Sequence, residues 1–214
     1  SQSDKQDKVK DFSHDKAFIA ITGGFGRPIG DFASTDGDNN SAGFAKLGSL
    51  FDVSLAVKLG KTGNKFGIAA LIRQQNNPLD KVAFLNAIKA PTATITAKSW
   101  IIQGYMAGIY GSFPISEKMS FESKILFGFM TAKKPEILIS ISNDWIKQQS
   151  ASSSTFAYLC SIGFKNNISK RICLLFNFDY LGANPEFKII TVDNTAAYYS
   201  EETYNQPFGL INFN

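Results

Sequence analysis

The sequence predicts an all-β chain that closes into an eight-stranded antiparallel up-and-down barrel crossing a membrane, with short turns on one rim and long loops on the other. Three observations predict it. Eight segments alternate apolar and polar or small residues with the two-residue period of a strand that shows one face to each environment. The connections between them alternate short and long. No run of about 18 apolar residues offers a transmembrane helix, yet the chain carries 19 Phe in 214 residues, an aromatic wealth that suits the girdles of a lipid-facing barrel.

The first segment runs from Ala17 to Gly30, with Ile19, Ile21 and Phe25 on one face and Ala20, Thr22, Gly24 and Gly26 on the other. The second, Ala42 to Leu59, sets Leu47, Phe51, Val53, Leu55, Val57 and Leu59 against Lys46, Gly48, Asp52, Ser54 and Lys58. The third, Phe66 to about Gln75, places Phe66, Ile68, Ala70 and Ile72 outward and Ala69, Leu71 and Arg73 inward. The fourth, Ser99 to Phe113, is apolar in part on both faces, and its expected outward set is Ile102, Met106 and Tyr110.

The fifth segment, Lys118 to Met130, has the cleanest alternation. Met119, Phe121, Ser123, Ile125, Phe127 and Phe129 oppose Ser120, Glu122, Lys124 and Gly128. The sixth, Thr155 to Lys165, puts Phe156, Tyr158, Ile162 and Phe164 on one face. In the seventh, Lys170 to Leu181, Ile172, Leu174, Phe176, Phe178 and Tyr180 oppose Arg171, Asn177 and Asp179. The eighth spans Tyr204 to Asn214, short for a closing strand, which predicts that the natural chain extends beyond Asn214.

Gly60 to Asn64, Pro114 to Glu117 and Asn166 to Ile168 read as tight turns. The long loops are 31–41, 76–98, 131–154 and 182–203. With Gly60 facing Lys65, Leu59 meets Phe66, Val57 meets Ile68 and Leu55 meets Ala70, all on one face as direct cross-strand partners must be. Within the loops, Leu79, Val82, Ala83 and Ile88 have helical spacing and predict a short amphipathic helix. The segment Glu136 to Ser142, followed by Trp145, predicts an extension of a barrel hairpin beyond the membrane.

The run Ser99-Trp-Ile-Ile-Gln-Gly-Tyr-Met-Ala-Gly-Ile-Tyr-Gly-Ser-Phe-Pro-Ile-Ser-Glu pairs an aromatic-glycine strand with a Phe-Pro-Ile-Ser turn, and Asn167-Ile-Ser-Lys170 precedes an Arg-led strand. In these phrases the chain, over residues 16 to 214, resembles the small outer-membrane β-barrel proteins of Bacteroidetes-type bacteria, the OmpA-, OmpX- and OmpW-like eight-stranded barrels. The resemblance implies a bacterial outer-membrane location with both termini in the periplasm. Residues 1–15 would be a flexible polar tail of a chain whose signal peptide has been removed, and residues 16–214 the barrel domain.

Charge and chemistry narrow the function. The 22 basic and 18 acidic residues give a net charge of +4, and their dispersed placement argues against nucleic acid. The single histidine, His14, sits in the polar tail, badly placed for a Ser-His pair and without companions for a metal site. Gly23-Gly-Phe-Gly26 lies in a strand and lacks the following helix of a phosphate loop. No cofactor, metal or catalytic site is therefore expected. Cys160 and Cys173 fall on opposite faces of neighbouring strands, which forbids a bridge at ordinary geometry.

A narrow barrel is filled by its own side chains, and charges placed inside it need partners. Lys46, Asp52, Lys58, Arg73, Glu122, Lys124, Arg171 and Asp179 are the expected luminal ion-pair network. Leu55, Val57, Phe66, Ile68, Phe121, Ile125, Phe127, Phe129, Leu174, Phe176 and Phe178 are the expected lipid-facing set. The expected function is that of a non-enzymatic structural or interaction component. Its partners would be outer-membrane lipid and, through the long loops, other outer-membrane or cell-surface proteins. A narrow solute channel and a soluble lipocalin-like ligand-binding barrel are the alternatives.

Overall fold

Most barrel strands are built on the alternation just described. The computed structural model describes residues 16–60, 65–169, 171–194 and 198–214. The expected tail 1–15, with His14, and most of the turn after Gly60 lie outside the described residues. In chain order the strands are β1 Ala17–Ile29, β2 Gly48–Lys58, β3 Phe66–Pro78, β4 Thr94–Ala97, β5 Ser99–Pro114, β6 Met119–Lys134 and β7 Ile137–Ile141. They continue as β8 Asp144–Gln148, β9 Ala151–Asn167, β10 Cys173–Ala183, β11 Glu186–Asp193, β12 Tyr198–Asn205 and β13 Phe208–Phe213. Among the described residues, one α-helix, α1 Lys81–Ala87, precedes β4, and a single turn of 3-10 helix spans Gly30–Phe32.

Eight strands close into an antiparallel barrel in the order β1-β13-β10-β9-β6-β5-β3-β2 and back to β1. The remaining five form a second sheet, β12-β11-β8-β7-β4, grown from the long loops. The register is continuous across the wall. Leu55 faces Ala70, Ala70 faces Ala107, Ala107 faces Phe127 and Phe127 faces Tyr158, one outward row through five strands. The adjacent inward row on three of them joins Ser54, Leu71 and Met106, and the inward row after it joins Asp52, Arg73 and Gly104. A strand's period of two carries this sorting unbroken around the cylinder.

The outer face is apolar and bare: Ile19, Phe66, Phe129 and Phe176 are each more than 60% exposed. The inner face is packed, with Arg73, Leu126, Met130, Leu159, Leu181 and Leu210 at 0–1% exposure. Gly26 makes room in that interior, since a Cβ there would strike the Gln75 amide at 2.1 Å and Asn212 Oδ1 at 2.4 Å.

The structure corrects the phase of β5. Ile102, Met106 and Tyr110 are buried inside the barrel, and Tyr105 and Ile109 are exposed. Met106 meets an apolar part of the lumen, beside Leu71 and near Leu126 and Met130, so polarity does not separate inside from outside there. What settles the phase is register: Ile109 faces Ile68 on one side and Ile125 on the other.

The closing strand is shorter than the eighth expected segment. Tyr204 belongs to β12, in the second sheet. Pro207 cannot donate to a ladder, and Gln206 N–H turns to Pro185 O at 3.0 Å, so the chain breaks here before re-entering the barrel as β13. The pairing of β13 with β1 covers only Phe25 to Ile29, and its pairing with β10 covers Phe178 to Ala183.

Above the long-loop rim, the expected helix forms, capped by Asp80, whose side chain accepts from Ala83 N–H at 3.0 Å. Its inward residue is Leu85, while Val82 points to solvent at 70% exposure, a correction to the predicted apolar face. The helix is only seven residues long, and packing rather than periodicity decides which side it buries. The expected hairpin extension is β7 and β8, paired from Ile137–Gln148 to Ile141–Asp144.

Candidate functional site

Three regions carry chemistry: the lumen, the outer belt and the sheet beyond the long-loop rim. In the lumen, the β2–β3 register sets Asp52 beside Arg73, and Asp179 reaches in from β10. Arg73 Nε donates to Asp52 Oδ1 at 2.8 Å, and its Nη2 donates to Asp52 Oδ2 at 2.6 Å and to Asp179 Oδ2 at 2.5 Å. Asn214 Nδ2 also donates to Asp52 Oδ2 at 2.6 Å and to Thr22 Oγ1 at 3.0 Å. All three charges of this triad are buried, the condition in which removing one partner strands the others.

A second cluster forms nearer the short-turn rim. Glu122 accepts from the Tyr110 hydroxyl, from Ser112 Oγ at 3.0 Å and from Ser120 Oγ at 2.5 Å. Lys124 is buried and donates to Asn177 Oδ1 at 3.4 Å. Lys165, which sequence reasoning left out of the charged set, is also buried, with its ammonium 5.0 Å from the centre of the Phe18 ring. Its place was legible, because it follows the inward positions Ser161 and Gly163 at a spacing of two.

Two expected members of the network lie elsewhere. Lys46 precedes β2, is exposed, and pairs with Asp80 at 3.7 Å in the loop region. Arg171 precedes β10 and is exposed at the short-turn rim. In both cases the alternation runs on past the real strand end. Lys58 closes β2 at the same rim and is half-buried. Cys160 and Cys173 are not bridged. Cys160 faces Tyr180 on β10, seven residues from Cys173, which along a strand is roughly 20 Å.

On the outer face, the eleven expected residues all take outward register positions. Leu55, Phe66, Ile68, Ile125, Phe127, Phe129, Leu174, Phe176 and Phe178 are exposed, and Val57 and Phe121 are half-covered by neighbours. Phe121 packs edge-on to Phe164 at 5.8 Å and tilted to Phe113 at 6.4 Å, an aromatic patch near the short-turn rim.

The sheet above the barrel has its own core. Trp100 packs against Phe32, Phe187 and Phe208 at 5.4, 5.8 and 5.7 Å, and its indole N–H donates to Gly43 O at 3.0 Å. On its surface Lys188 pairs with Glu201 at 2.7 Å and Lys147 with Glu136 at 3.0 Å. The hydrogen bond that the Lys188 ammonium donates to the Glu201 carboxylate holds its amine above the ordinary lysine range. Lys134 lies five residues beyond Phe129, the last apolar outward residue of β6, and so belongs to this upper region. Burial pushes its amine down to about 8, against the opposing pull of Glu202. The Tyr204 hydroxyl, buried on the same side, is pushed up.

Among the described residues, no three His, Cys, Asp or Glu gather as metal ligands. No helix is long and apolar enough to cross a membrane, which says nothing of the barrel.

No family model matches the chain, and no curated protein matches it. Among solved structures, the crystal structure of Ail, the attachment invasion locus protein of Yersinia pestis, aligns with 92% of this chain and 97% of that one. The two share 14% identity at a TM-score of 0.40, a likeness too distant to transfer any role.

Proposed function

We propose that this protein is a non-enzymatic outer-membrane barrel that serves as a cell-surface structural or interaction component. The observation that carries this reading is the inversion of the barrel: apolar side chains ring the outside while a charged triad and a carboxylate cluster fill the inside. A soluble barrel that binds ligands internally places its charges outside, so the lipocalin-like alternative loses its footing. The bare belt is the surface that lipid covers. A closed barrel is a chain's means of satisfying every backbone group in hydrocarbon.

The packed lumen argues against the channel alternative, since the space beside Arg73 is occupied by its own partners. The five-stranded sheet beyond the long-loop rim is then the part that meets the surroundings. It presents an exposed Tyr199 and Trp145 beside surface ion pairs, a composition suited to docking another outer-membrane or cell-surface protein.

The test has two arms. Purified protein reconstituted in planar bilayers is expected to give no steady conductance, and a stable open level would overturn the plugged-lumen reading. Purification from native membranes in mild detergent is expected to bring down a partner that is lost when the β11–β12 hairpin is shortened. A barrel that always purifies alone would remove the interaction role.

A further inference from the structure

The space between the second sheet, the 37–44 loop and α1 is a cavity of about 660 Å³ open to one side. That is within the usual size of a small-molecule site. Its walls are unlike the lumen and unlike the belt. Phe44 and Phe84, packed edge to face at 5.2 Å, form an apolar side, and Tyr204 closes another. Lys134 enters between them, 8% exposed, with its ammonium 5.2 Å from the centre of the Tyr204 ring.

Two polar groups on this wall lack what their chemistry asks for. Lys134 has no carboxylate within ion-pair distance and donates to no acceptor among the described residues; Glu202 acts on it only from farther off, and the centre of the Tyr204 ring lies 5.2 Å away. The Gln148 side-chain oxygen is buried and accepts no hydrogen bond. A largely buried ammonium without a directly paired anion and a buried amide oxygen without a donor are each costly. Both costs are removed by one molecule that brings an anion and a donor together. Glu202, exposed at the rim of the same cavity, sets a limit on that anion: a second negative charge would face its carboxylate, which favours a monoanion over a phosphate.

We propose that this cavity is a binding site for a small monocarboxylate that carries a hydroxyl or amide N–H beside its carboxylate and an apolar or aromatic body. The carboxylate would meet Lys134, the neighbouring donor would meet Gln148, and the body would lie against Phe44 and Phe84. At neutral pH the Lys134 amine, held near 8, keeps most of its charge for this role. The site lies above the belt, open to water, and does not depend on whether the second sheet also docks a protein.

The probe is 3-phenyllactate, which is water-soluble and carries all three features. Binding is measured by isothermal titration on the full chain in lipid nanodiscs. Two analogues separate the contributions: 3-phenylpropanoate lacks the hydroxyl, and 3-phenylpropane-1,2-diol lacks the carboxylate. The expected result is saturable binding of 3-phenyllactate, at least ten-fold weaker for the diol and at least three-fold weaker for 3-phenylpropanoate. Lys134→Met is expected to weaken 3-phenyllactate at least ten-fold while Lys134→Arg retains most of it, and Gln148→Leu is expected to erase the preference for the hydroxyl. The same arms with N-acetylphenylalanine tell whether a hydroxyl or an amide N–H is the better donor. Equal binding of acid and diol, unchanged binding in Lys134→Met, or equal loss in the Met and Arg variants would each overturn the proposal, the last by marking Lys134 as packing alone.

Discussion

Arg73 holds both carboxylate oxygens of Asp52 in a two-pronged grip, at 2.8 Å from Nε and 2.6 Å from Nη2, while the same Nη2 reaches Asp179 at 2.5 Å. Among the described residues, the guanidinium is thus the one positive centre in direct contact with two buried carboxylates, which sit on opposite sides of the barrel seam. Replacing it by Met leaves both stranded, and a loss on the order of 3–5 kcal/mol is expected. Urea unfolding in vesicles, followed by the emission of buried Trp100, measures it. Adding Asp52→Asn and Asp179→Asn to Arg73→Met is expected to recover a large part of the loss.

Ile125 sits midway along the outward row of β6, flanked by Ile109 and Cys160 on the neighbouring strands. Under the membrane reading, Ile125→Arg puts a charge into hydrocarbon and costs about 2–4 kcal/mol. Val82→Arg, at an exposed helix position above the barrel, serves as the control and is expected to change little. Equal effects in the same vesicle assay would count against a lipid-covered belt.

Tyr158 lays its ring over Gly182, its direct cross-strand partner, so that a Cβ on the glycine would meet the ring at 2.4 Å. An aromatic covering a strand glycine restores the packing the glycine lacks. Gly182→Val is expected to cost about 1–3 kcal/mol by overpacking. Tyr158→Ala in the same chain should relieve much of it, and a double-mutant cycle reads the coupling.

The burial of Lys134 gives the upper region a pH dependence of defined sign. Its amine is held at about 8 against 10.5 in the unfolded chain. Below pH 8 the buried charge costs stability in full. Between about 8 and 10.5 the unfolded state binds more protons than the folded one, so stability rises with pH, by on the order of 3 kcal/mol over the window. Lys188 acts with the opposite sign, because its amine is raised and its contribution fades only above the ordinary lysine range. Urea midpoints between pH 7.5 and 10.5 are expected to climb in the parent chain and to flatten in Lys134→Met.

Much of the barrel was legible because alternation is a property of local sequence that a closed wall preserves. The fifth segment shows this best: its faces, its outward Phe residues and its inward Glu122 and Lys124 all stand where the period of two sets them. The fourth segment failed for a physical reason, since apolar side chains turn inward at Met106 and Ile102 just as they turn outward at their neighbours, and only their cross-strand register carries the phase. Lys46 and Arg171 failed because a period does not say where pairing stops. The cavity at Lys134 left little trace in sequence. Its walls come from the 37–44 loop, α1, β6, β8, β11 and β12, far apart along the chain and joined only by the folding of the loops into a second sheet.

The β6–β9 ladder runs without a break from Met119–Asn166 to Lys134–Ala151, and the β7–β8 hairpin between those strands takes up pairing again at Ile137–Gln148. The outward apolar residues of β6 stop at Phe129, so one ribbon passes from the bare belt into the second sheet. It acts as a mast: a push at its Trp145 tip is carried into the wall as a tilt rather than absorbed by a slack joint. Amide exchange along Thr131 to Lys134 should therefore be as slow as along the belt itself.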